Sequence, residues 1–196
     1  LYFHHTMKLS EKYYRNEDVV FLAKDLLGKL LMTEIDGIRT AGIITETEAY
    51  SETEKGCHAY NKRKTERTKI MFEAGGLSYV YFCYGMHHLF NVVTGKKDTA
   101  QAVLIRAIQP TIGVEEILRR RKKENPEKNL CKGPGKVCQA LGITRAHYGL
   151  HLTDAKIWIE TTTLKITDEQ IQATPRIGID YAEEDRHLPW WFVLKI

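Results

Sequence analysis

The chain lacks the features that would tie it to a membrane, a disulfide framework or a structural metal. Its four cysteines, Cys57, Cys83, Cys131 and Cys138, form no C-x-x-C pair. The close ligand pairs of a structural zinc site are therefore missing. The thiols read as reduced, which places the chain in the cytoplasm. Cys57-His58 has no second pair to complete a metal site, so neither a metal nor another cofactor is expected. No apolar run approaches the roughly 18 residues of a membrane span, and no secretory leader pattern is present. Internal repeats, low-complexity tracts and linkers are absent. The excess of positive over negative charge is also small: a net +4 permits nucleic-acid binding without demanding it. Gly133-Pro134-Gly135-Lys136 is not a phosphate-binding P-loop, because the G-x-x-x-x-G-K-[ST] spacing is not met.

What is there is an ordinary globular composition, 43% hydrophobic and 28% charged, in 196 residues. That length suits one domain with a proper core. Leu1-Tyr2-Phe3-His4-His5-Thr6 reads as leftover tag sequence before Met7, so the domain is expected over 7–196. Asn16 is the expected N-cap of a helix whose Val19, Leu22, Ala23, Leu26 and Leu27 recur at helical spacing up to Gly28. Leu30–Ile35 and Ile38–Tyr50 flank Asp36-Gly37, a strong hairpin signal. Residues 51–70 are polar and read as a long functional loop. A second hairpin is expected over 77–93, a strand over Ala102–Ile108 that stops at Pro110, and a helix over Val114–Lys123. The run Arg119–Lys123 reads as a solvated face that complements the helix C-terminus, with DNA contact as the alternative. A short helix is expected over Val137–Leu141, and strands over Ile157–Thr161, Arg176–Ile179 and Trp191–Lys195.

The second hairpin is the most informative stretch. It carries Tyr79, Tyr81 and Tyr84 around a Gly85-Met86 corner, with Asn91 inside an apolar run. Buried phenols need hydrogen-bond partners, so aromatic rings grouped at a turn suit stacking on flat bases or wedging between them. Strand parity puts Tyr79, Tyr81 and Cys83 on one face and leaves Tyr84 at the turn. The bland alternative is cross-strand packing with an exposed Tyr84. Parity also puts Glu46, Glu48 and Tyr50 on one face without choosing between the carboxylates; a solvated edge is the simpler reading of each. Asn91 is expected to be a buried, hydrogen-bonded amide. Arg106, inside Val103–Ile108, needs a carboxylate partner, which either Glu46 or Glu48 would supply.

These words, read together, resemble the alkyladenine (3-methyladenine) DNA glycosylase family. The matching words are Glu46-Thr47-Glu48-Ala49-Tyr50, Met71-Phe72 with Gly75, Tyr79-Val80-Tyr81, Tyr84-Gly85-Met86-His87 and Asn91-Val92-Val93. Leu104-Ile105-Arg106-Ala107, Cys131–Leu141 and Arg176-Ile177-Gly178-Ile179 continue in family order. The resemblance implies an α+β fold, a curved antiparallel sheet with surrounding helices and a protruding hairpin that inserts into DNA. A bacterial member is expected.

By the same resemblance, Glu48 activates the attacking water and Arg106 helps place it. Tyr50, His58 and Tyr81 wall the base pocket. Tyr84, with Met86 beside it, enters the DNA, and Asn91 discourages guanine. The implied activity is that of a monomeric, monofunctional DNA repair enzyme. It flips alkylated or deaminated purines such as 3-methyladenine or hypoxanthine from duplex DNA and hydrolyses the N-glycosidic bond, leaving an abasic site.

The chain departs from the family at Thr65-Glu66-Arg67-Thr68, where Thr-Pro-Arg-Asn is common and Thr68 replaces a bracing amide. It also departs between Tyr50 and His58, a segment one residue shorter that lacks the usual aspartate. The competing readings are a non-catalytic, lesion-sensing or architectural minor-groove protein and an RNA-stacking protein.

Overall fold

The computed structural model describes residues 6–195; the expected tag segment lies outside these apart from Thr6. Two short helices, α1 (Glu11–Tyr14) and α2 (Val19–Asp25), lead into the hairpin β1 (Leu30–Ile35) and β2 (Ile38–Ser51). Asp36 and Gly37 have φ of 54° and 74°, the left-handed pair that a tight hairpin turn needs. Strands β3 (Ser78–Cys83), β4 (His87–Val93) and β5 (Gln101–Ile112) follow, then helices α3 (Val114–Arg121) and α4 (Pro134–Leu141). The short strands β6 (Ile157–Glu160), β7 (Ile171–Thr174) and β8 (Trp191–Leu194) complete the chain.

The strands form one open antiparallel sheet in the order β3-β4-β5-β2-β1-β6, with β8 joining β2 and β7 to it. The fold is thus mixed α+β, with few helices. Strand alternation divides the sheet into two faces. Val80, Phe90, Val92, Val103, Ile105 and Ala49 point to one core, together with apolar residues of α2, α3 and α4. Tyr79, Val93 and Ala102 point the other way, toward Met71 and Phe72 of the 51–72 segment. That second, smaller cluster holds the aromatic residues and forms the floor of the site.

Four expectations about elements need correction. The N-cap of α2 is Asp18, whose carboxylate accepts the Phe21 N–H at 2.8 Å; Asn16 instead accepts from Asp18 N, two residues too early to cap. Asp18→Ala should therefore cost about 1 kcal/mol of stability and Asn16→Ala clearly less, as read from chemical denaturation. Pro110 does not stop β5. It faces Gly42 next to a register shift, where the ladder is already interrupted and a missing N–H costs little. Arg176–Ile179 is irregular rather than a strand, because Pro175 breaks the β7 ladder and Gly178 turns at φ 76°. The basic run of α3 is a solvated face only in part: Arg119, Lys122 and Lys123 are exposed, whereas Arg120 and Arg121 fold back on the protein, Arg120 binding Glu116 and Arg121 the Leu130 carbonyl. Among the described residues no helix is long and apolar enough to cross a membrane.

Candidate active site

The site begins with the register of the central strands. Tyr79 faces Asn91, Asn91 faces Leu104 and Leu104 faces Glu48. These four side chains therefore form a row across β3, β4, β5 and β2. With strands about 4.8 Å apart, Asn91 and Glu48 stand roughly 10 Å from each other over Leu104. One step along β5 the register shifts: Glu46 pairs with Ala107 and Thr47 with Ile105, which leaves Arg106 as an extra residue. Such a bulge re-aims a side chain. Here Arg106 Nη1 donates to Glu48 Oε1 at 2.8 Å.

Glu48 is 1% exposed, and Tyr50 donates its hydroxyl to the other carboxylate oxygen at 2.7 Å. Burial pushes the Glu48 carboxyl above its ordinary range, against the pull of Arg106, the Tyr50 hydrogen bond and Arg176. Glu46 is also buried but does a different task. It accepts from Trp191 Nε1 at 3.1 Å, lies 3.5 Å from Lys132 Nζ and 3.9 Å from Arg106 Nε, and is outside the cavity. The solvated-edge reading fails for both carboxylates, and the structure separates them where parity did not. Arg106 also packs its guanidinium on the Trp191 ring, 4.8 Å from the centroid.

Above Glu48 opens a cavity of about 290 Å³, whose walls include Tyr50, His58, Tyr81, Asn91 and Arg106. This is near the lower end of the usual ligand-pocket range of roughly 300–1,000 Å³. His58 Nδ1 shares a hydrogen bond with the Tyr79 hydroxyl at 2.9 Å, and its ring meets Tyr81 edge-on at 4.7 Å. Burial, with the nearby Arg67 charge, lowers the imidazole pKa to about 4, so it is neutral at pH 7. Asn91 is buried and donates from Nδ2 to the Tyr79 carbonyl at 3.2 Å. The 51–72 segment is braced despite its unusual sequence. The Thr68 hydroxyl accepts from Thr65 N at 2.9 Å and donates to Arg63 O at 2.9 Å, which replaces the bracing amide.

At the hairpin tip Tyr84 and Gly85 have φ of 52° and 68°. A tyrosine in that region costs on the order of 1 kcal/mol, which glycine would avoid. Tyr84 is 84% exposed and Met86 68%. Both project from the tip, while Tyr84 also borders the cavity mouth.

Residues 12–196 match the family described as methylpurine-DNA glycosylase. The chain belongs to that family. It is 53% identical over 190 residues to a Chlamydia felis protein, covering 96% of each chain, and 48% identical to one from Bacillus cereus, covering 91% of each. Both carry the name "Putative 3-methyladenine DNA glycosylase". Family membership makes the chain a DNA glycosylase, a DNA-repair hydrolase acting on DNA.

All five expected pocket and water-placing groups of this glycosylase other than Glu48 stand around one cavity with it, and Tyr84 and Met86 stand at its exposed tip. The sequence reading missed Glu54, Arg67, Tyr181 and Arg176. Arg67 lies 5.9 Å from the Tyr81 ring centroid, and Tyr181 donates to the Gly56 carbonyl at 3.1 Å. Arg176 belongs to the Arg176-Ile177-Gly178-Ile179 word that resembles the family, but the resemblance implies no role for it. The available signal was an arginine in an apolar stretch, which needs a buried partner. Among the described residues no group of three or more His, Cys, Asp or Glu is arranged to hold a metal ion.

Proposed function

We propose that the chain is a 3-methyladenine DNA glycosylase that extrudes a damaged purine into this cavity and hydrolyses its glycosidic bond with a water activated by Glu48. The observation that carries the reading is a single buried carboxylate, ion-paired to Arg106, at the floor of an aromatic pocket. Extrusion costs roughly a few kcal/mol. Stacking returns about 1–3 kcal/mol per base, so Tyr50, Tyr81 and His58 offset much of it. Tyr84 fills the vacated step and holds the duplex bent, with Met86 beside it. Asn91 discourages guanine, whose exocyclic amino group meets the amide.

An N3-methylated adenine is cationic and already labile. Electron-rich tyrosine faces favour it, and one carboxylate suffices where most sugar glycosidases use two. Glu48 takes the proton of the attacking water and offsets positive charge on the sugar. Arg106 orients the carboxylate and the water. The purine leaves with the bonding electrons, water oxygen bonds to the sugar carbon, and the strand stays intact with an abasic site. Hypoxanthine falls within the proposed range, although His58, held neutral, carries no spare proton for it.

The protein acts as a monomer, with residues 7–196 as the catalytic unit, in the bacterial cytoplasm. The test is release of free base from duplex DNA bearing one hypoxanthine and from methylated DNA, with RNA as competitor. Base release with an alkali-labile but uncut strand supports the assignment. Tight lesion binding without release favours the lesion-sensing reading, and preferential inhibition by RNA favours the RNA one.

The pH dependence has a definite sign. Glu48 must be ionised, and its carboxyl holds its proton to a higher pH than a free glutamate. The single-turnover rate should therefore fall with acid, with a midpoint above the usual value of about 4.3. No additional limb from His58 is expected near pH 6.5. A midpoint at or below 4.3 would contradict this.

A further inference from the structure

Behind the pocket lies a buried ion pair for which the catalytic reading has no use. Arg176 has a fully buried side chain and Glu54 is 3% exposed at its side chain. The guanidinium donates to both carboxylate oxygens, at 2.8 and 2.7 Å. It also donates to the Ala49 carbonyl at 2.9 Å, on the residue between Glu48 and Tyr50. Its Cζ lies over the Tyr50 ring, 4.7 Å from the centroid, and over the Trp190 ring at 5.3 Å. Glu54 in turn accepts from Gly56 N at 2.7 Å, two residues before His58. A bidentate, stacked arginine has this geometry only while all its partners hold their places.

The geometry points to Arg176 and Glu54 as a positioning pair: it fixes β2 at Glu48 and Tyr50 and ties that strand to the turn carrying His58, so that pocket wall and general base keep one geometry. This rests on the proposed role of Glu48. The charged and titratable groups around Glu48 are Arg106 on β5, Tyr50 on its own strand, Tyr81 on β3 and Arg176 behind it, with Glu46 beyond Arg106. Arg176 also pulls the Glu48 carboxyl downward, so its charge helps keep the base ionised.

Three full-length variants separate charge from fork. Arg176→Met removes both and should slow single-turnover base release roughly 10- to 100-fold at pH 7. It should also move the acid limb upward, because a positive charge that favours the ionised carboxylate is gone. Arg176→Lys keeps the charge and loses the fork, so the rate should fall while the limb stays near wild type. A paired Arg176→Met with Glu54→Gln variant leaves no unpaired buried charge and serves if the single change does not fold; it should show the rate loss with a cooperative melting transition. Wild-type rates in folded Arg176→Met or in the paired variant would overturn the proposal. So would a rate loss that only follows the unfolded fraction, with no movement of the limb in Arg176→Met. Glu48→Gln in the same assay keeps the two readings apart, because full turnover there removes the Glu48 assignment whatever Arg176 does.

Discussion

Glu48→Gln is expected to slow base release about 10²- to 10⁴-fold, the usual contribution of a positioned general base. Affinity for lesion-bearing duplex should stay within a few-fold of wild type. Glutamine has the shape of glutamate, so it still accepts from Arg106 and fills the pocket floor, but it takes no proton from water. Arg106 remains beside Glu46, whose nearest oxygen is 3.9 Å from its Nε, so the change does not leave that guanidinium without a counter-charge nearby. Single-turnover release and equilibrium binding, measured on one duplex, separate chemistry from recognition. Undiminished release would place the base elsewhere, and lost binding with lost release would make Glu48 a recognition group.

The second large effect is expected at the hairpin tip. Tyr84→Ala should weaken binding to a lesion duplex by roughly 5- to 150-fold, the equivalent of about 1–3 kcal/mol of stacking. The chemical step, measured with saturating enzyme, should change much less. Tyr84→Gly makes the sharper comparison. Glycine relieves the φ of 52° and removes nothing buried, since the ring is 84% exposed. The melting temperature should therefore hold or rise while lesion affinity falls as in the alanine variant. A Tyr84→Gly protein with lower stability and unchanged affinity would make the tyrosine a structural residue of the turn.

Local chemistry was legible in the sequence. Asp36-Gly37 announced its hairpin, the aromatic corner announced the second, and both strand pairs fall where alternation placed them. Tyr79 and Tyr81 share the pocket face as parity required. Long-range geometry was not legible. Parity assumes an uninterrupted ladder, and the extra residue at Arg106 is visible only once β2 and β5 are paired. That bulge brings the guanidinium to Glu48 at 2.8 Å while Glu46 is drawn to Trp191 and Lys132. The Arg176–Glu54 pair spans 122 residues of sequence, so neither partner signals the other. Thr68 illustrates a subtler limit: a hydroxyl that donates and accepts braced the loop where the loss of an amide suggested otherwise. The misplaced N-cap at Asn16 came from two capping residues two positions apart, between which only the helix phase decides.

The most direct test of the pocket as the seat of an extruded base is a crystal structure of the Glu48→Gln protein on duplex DNA bearing one hypoxanthine. The expected result has the base among Tyr50, His58 and Tyr81, the sugar carbon facing residue 48, and Tyr84 in the vacated step. A base still stacked in the duplex, or bound on a face away from the Glu48 cavity, would contradict it.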